Sequence, residues 1–108
     1  MSININEVLK ARAIDNFNYY SKRYNVKLTT MYHKTLTDTD NMIGGLSRAV
    51  SREDRWLLTK IFESCNADYR GVPEVLVLQY REYFPDKIVN ICEERLAEWQ
   101  IDYKQYLL

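Results

Sequence analysis

The stretch Asp86-Lys87-Ile88-Val89-Asn90-Ile91-Cys92-Glu93-Glu94-Arg95-Leu96-Ala97-Glu98-Trp99-Gln100-Ile101-Asp102-Tyr103-Lys104-Gln105-Tyr106 carries the clearest pattern in the chain. Its residues Val89, Cys92, Leu96, Trp99, Tyr103 and Tyr106 stand 3, 4, 3, 4 and 3 positions apart, the spacing that holds one seam of a helix against a neighbouring helix. Glu94, Glu98 and Asp102 fall on the opposite side. This periodicity predicts one helix from Asp86 through Tyr106, about 20 residues and some 30 Å long. The seam is too short to specify a free-standing coiled coil, so the helix is expected at the centre of a bundle. Ile91 and Ile101 lie off the seam, and apolar groups on more than one side call for a second covering surface.

Working back from Asp86, Pro85 closes a short apolar helix over Glu74–Phe84, and Pro73 suits its first turn. Ser51 with Asp54 three positions on approximates a capping box and predicts a helix burying Leu57, Leu58, Ile61, Phe62 and Cys65. Met42, Ile43, Leu46, Ala49 and Val50 recur at helical spacing across Gly44-Gly45, with Asp38 or Asp40 as the expected cap. The paired glycines signal a close approach of another backbone or a bend. Near the start, Leu9, Ala13, Phe17, Tyr20 and Tyr24 share one face of a helix over residues 5–24, which Asn4 or Asn6 can cap and Asn25 can end in the left-handed conformation. Residues 26–37 read as extended or irregular, with a short helix as the alternative.

These elements fit one domain over residues 1–108, an all-α bundle of four to five helices with a long C-terminal helix. The 108 residues include 15 basic and 15 acidic side chains, 46% hydrophobic residues, three Gly and two Pro, a balance that suits a packed core and not a disordered or collagenous chain. The longest aliphatic run, Val75 to Leu78, is far too short to span a bilayer, and Met-Ser-Ile-Asn-Ile-Asn lacks the basic and apolar regions of a signal peptide. The expectation is a soluble cytoplasmic protein with no membrane association.

Histidine and cysteine usage removes whole chemistries. Cys65 and Cys92 stand 27 positions apart and His33 is the sole imidazole, so soft ligands for a structural zinc site are missing. Both cysteines are expected as buried small hydrophobes. Asp38-x-Asp40 opens like a calcium loop, yet Ile43 and Ala49 stand where such a loop needs Gly and Glu. Gly44-Gly45 lacks the rest of a phosphate loop, and no Gly-x-Ser-x-Gly elbow occurs. A general base at His33 requires Asp38 or Asp40 to fold back and orient it. Neither metal nor cofactor is expected, and no enzymatic activity.

Charge is uneven although the net is zero. Residues 1–60 hold ten basic and six acidic side chains. Between Lys10 and Lys34, six basic residues face Asp15 alone and alternate with Phe17, Tyr19, Tyr20, Tyr24 and Tyr32. Cations neutralise phosphates and rings stack on bases, so Lys22, Arg23 and Lys27 are candidates for nucleic-acid contact. An amphipathic helix with inward tyrosines and solvated lysines produces the same mixture. Residues 42–60 also approximate a helix-turn-helix, offering Arg48, Arg52 and Arg55 to a groove, although the usual turn glycine is absent and Glu53 with Asp54 would face phosphates.

The functional expectation is therefore a non-enzymatic interaction protein: an adaptor, inhibitor or assembly factor of the kind viruses and phages use as accessory proteins, binding a protein partner. Leu96, Trp99, Tyr103 and Tyr106 are its expected contact and the seam of a homodimer. A nucleic-acid-binding regulator is the alternative.

Overall fold

Asn4 lies outside the first helix and its side-chain oxygen accepts from the Asn6 and Glu7 N–H groups at 3.1 and 3.4 Å, satisfying donors that the first turn leaves unpaired. The helix so capped, α1 (Ile5–Tyr24), ends at Asn25 in the left-handed conformation at φ 54°. Both boundaries are those the sequence predicts. The computed structural model describes residues 4–26, 40–52 and 56–107; nearly all of the extended or irregular stretch read at 26–37 lies outside them, as do Lys27, His33, Asp38 and Arg55. After α1 come α2 (Met42–Ser51), α3 (Trp56–Ser64), α4 (Pro73–Gln79), a 3-10 turn at Arg81–Tyr83, α5 (Asp86–Glu98) and a second 3-10 turn at Tyr103–Tyr106. Among the described residues every regular element is helical, and the fold is the expected all-α bundle.

The cap of α2 is Asn41, whose side chain accepts from Gly44 N–H at 3.0 Å, and not Asp38 or Asp40. A second asparagine assists from outside: Asn6 of α1 accepts from the Met42 and Ile43 N–H groups at 2.9 and 3.3 Å, which pins the start of α2 to the start of α1. At Gly44 a Cβ would stand 2.6 Å from Asn41 Nδ2, so this glycine makes room for the capping side chain and not for a second backbone. Ser51 is the last residue of α2, and its hydroxyl donates back to the Ser47 carbonyl at 2.6 Å. The capping-box reading of Ser51 therefore fails, since Ser51 is itself a helical residue of α2.

The centre of the bundle is α4. Pro73 through Leu78 are all buried, and α4 packs against α1, α2, α5 and the second 3-10 turn. Its consecutive apolar residues Val75, Leu76, Val77 and Leu78 explain this, because a helix apolar on every side in its middle is stable only when covered all round. The periodic helix α5 instead lies across one side of it, burying Ile88, Val89, Cys92 and Leu96 while Glu94 and Glu98 face solvent. Leu9, Ala13 and Tyr20 of α1, Met42, Leu46 and Val50 of α2, and Leu58, Ile61 and Cys65 in and after α3 complete the core. Phe62, expected in it, is 61% exposed. The radius of gyration is 13.0 Å, that of a compact chain of this length.

Among the described residues one ion pair sits inside. Arg95 of α5 meets Glu74 at 3.3 Å, each side chain 7% exposed, and a second guanidinium nitrogen donates to the Arg52 carbonyl at 2.5 Å. Glu74 stands in the first turn of α4, where the helix dipole favours a carboxylate. The pair ties α4, α5 and the exit from α2 together.

Candidate functional site

The predicted contact residues are separated by a break that the periodicity did not announce. Trp99 N–H donates to the Arg95 carbonyl at 3.2 Å, Gln100 N–H to Ala97 at 3.0 Å and Ile101 N–H to Leu96 at 2.9 Å. These last two bonds form a Schellman closure, with Gln100 in the left-handed region at φ 57° where glycine is the usual occupant. The expected helix of about 20 residues is thus 13 residues long, and Tyr103 and Tyr106 belong to a 3-10 turn folded back over the bundle. Leu96 is fully buried in the core of a single copy, which removes it from the set of residues available for a contact.

What remains is a C-terminal strap. Trp99, Ile101, Tyr103, Tyr106 and Leu107 pack on the core while each stays half-buried. Gln79, at the end of α4, seats it: its amide nitrogen donates to the Tyr106 carbonyl at 2.7 Å, and its amide oxygen accepts from Arg12 at 3.3 Å. Tyr106 lies close enough to Tyr69 to raise the Tyr69 pKa, after burial, which is the larger cause.

The basic and aromatic stretch of α1 is organised differently. Tyr19 and Tyr24 both donate their hydroxyls to one Asp68 carboxylate oxygen, Tyr24 at 2.8 Å. Tyr20 donates to the Asp68 carbonyl at 2.7 Å and accepts from Gly71 N–H at 2.9 Å. The rings meet edge to face, Tyr19 with Tyr20 at 5.4 Å and with Tyr24 at 6.2 Å. Arg70 lies 4.9 Å over the Tyr19 ring, and its Nε is 3.5 Å from Asp68. A Cβ at Gly71 would stand 2.8 Å from the Tyr20 ring, so only glycine permits this approach. The turn that delivers Asp68 is strained, with Asn66 and Ala67 at φ 53° and 56°. Burial pushes the Asp68 carboxyl up, but the two phenols and Arg70 outweigh it and hold the carboxyl below its ordinary value. Burial first, and then Asp68, raises Tyr19 to about 12.

This network pins the loop after α3 to the last turns of α1, with the Tyr19 and Tyr24 hydroxyls turned to a carboxylate and that of Tyr20 to a backbone carbonyl. Lys22 and Arg23 are exposed beside it, Arg23 lying 6.0 Å over Tyr24, and Arg48 and Arg52 are exposed in and after α2. Of the arginines offered to a helix-turn-helix, Arg48 lies in α2 and Arg52 directly follows it, while Arg55 lies outside the described residues. Neither Asp68 nor Arg70 was singled out in the sequence; a lone Asp among tyrosines distant in the chain carries no local signal.

Other chemistry is accounted for. Cys65 and Cys92 are free and buried, and burial raises both thiols, the opposite of a reactive thiolate. Among the described residues no three His, Cys, Asp or Glu side chains gather as a metal site, and no helix is long and apolar enough to cross a membrane. Comparison with protein-family models, with curated proteins and with solved structures gives no match.

Proposed function

We propose that the protein acts by binding another macromolecule and not by turning over a substrate, that its partner is a protein, and that it self-associates through the C-terminal strap. The observation that carries this reading is the half-burial of Trp99, Tyr103, Tyr106 and Leu107 in one continuous segment. Rings of this size, anchored on one side by the core and open on the other, dominate interface energies because they bury large area with few rotatable bonds. An adaptor, inhibitor or assembly factor needs such a surface and no catalytic cluster. Light scattering tests the reading: Trp99→Ala with Tyr103→Ala should convert a dimer to monomer while helicity survives, and a variant that stays dimeric places the interface elsewhere.

A second reading is supported by the exposed cations Lys22, Arg23 and Arg70 around the tyrosines of α1. If nucleic acid is the partner, affinity falls steeply with salt, and Lys22, Arg23 and Lys27 to Ala weaken it together. Absence of a shift with single- or double-stranded DNA or RNA at low salt removes it.

A further inference from the structure

The break at Trp99–Asp102 sets two levels of the molecule against each other. Residues 86–106 have the periodicity of one uninterrupted helix, with neither Gly nor Pro between Trp99 and Asp102 to specify a stop. The chain nevertheless turns there, and it does so by holding Gln100 at φ 57°, a conformation that costs a side-chain-bearing residue more than glycine. The segment beyond the turn is weakly self-supporting: a single 3-10 turn, Tyr103–Tyr106, held in its seat by the Gln79 bond to the Tyr106 carbonyl and by half-buried side chains.

From this we infer that the strap is exchangeable between two copies of the chain. In the exchanged form residues 99–102 join α5 as helix, and residues 103–107 leave their own seat for the equivalent seat of a second copy. The occupant is fixed by the geometry already present, because the seat at Gln79 fits this segment and an identical chain supplies an identical segment. The contacts of residues 103–107 are then kept, now made with the partner copy, while both Gln100 residues leave the left-handed region. Such exchange is a low-cost route to a symmetric dimer, and it joins the helix seam that the sequence specifies to the self-association proposed above, on which it rests.

The test lies at an exposed residue that takes no part in the strap's seat. Gln100→Gly relaxes the closed turn and favours the monomer. Gln100→Thr, β-branched and poorly tolerated at positive φ, penalises the closed turn without adding apolar surface, and so favours the exchanged dimer. Because two turns open per dimer, each substitution should move the dimerisation constant on the order of tenfold, in opposite directions. Analytical ultracentrifugation of the full-length wild type and both variants reads this, with circular dichroism as the folding control. Opposite shifts support exchange. A dimer indifferent to both substitutions overturns it and leaves self-association standing, whereas three monomers at every concentration overturn both.

Discussion

At the scale of single residues, Asp68 joins the loop after α3 to the last turns of α1. It accepts two phenolic hydroxyls and faces Arg70, so Asp68→Ala should cost about 1–3 kcal/mol by urea unfolding. In a double-mutant cycle with Tyr24→Phe the losses should be less than additive, since both remove one bond; strict additivity would show that the bond contributes nothing. Tyr19 gives a pH signature. Its folded pKa, about 12, lies above the ordinary 10.0, so the folded state favours the neutral phenol. Its contribution is complete below pH 10.0 and is lost as pH rises toward about 12. Unfolding titrations through that window should show a steeper loss of stability in the wild type than in Tyr19→Phe, and equal slopes would refute the assignment. Caps were legible at this scale where the signal is local, as at Asn4 and Asn25, and misassigned where it is not. Asn41 outcompeted the nearby aspartates because its own backbone enters α2, and Phe62 shares the helical spacing of Leu58 and Ile61 although no described element covers it.

Among the elements, α5 shows what a periodic pattern can and cannot decide. The pattern identified the face that buries Val89, Cys92 and Leu96 correctly, because burial follows the 3.6-residue turn. It could not locate the end of the helix, since Gln100 accepts the left-handed conformation only under tertiary packing. The ion pair between α4 and α5 was equally hidden: Glu74 and Arg95 each look like solvated charges in sequence. Arg95→Ala should destabilise the protein by about 3–5 kcal/mol, because it leaves Glu74 inside without its guanidinium and removes the donor to the Arg52 carbonyl. Replacing both partners with apolar residues of similar size, Glu74→Leu with Arg95→Met, should recover much of that loss in thermal melts. Equal losses in the single and double variants would contradict this account of the pair.

For the whole molecule, composition and helical spacing sufficed for the class of fold, and the apolar run of Val75 to Leu78 held the clue to its centre. The short α4 is wrapped by α1, α2, α5 and the strap, so the longer and more periodic helices form the outside of the bundle. The four seam residues divide in the structure: Trp99, Tyr103 and Tyr106 are half-buried against the core, whereas Leu96 is consumed by it. Sequence spacing treats a seam residue alike whether it meets its own bundle or a second copy, and only the packing of the whole chain separates the two. The central claim is that this surface binds, and that one of its partners is the same chain. Sedimentation equilibrium of the purified wild-type protein across a wide concentration range tests it most directly. The predicted result is a mass that rises with concentration toward twice 12.9 kDa; a mass that stays at 12.9 kDa throughout would contradict it.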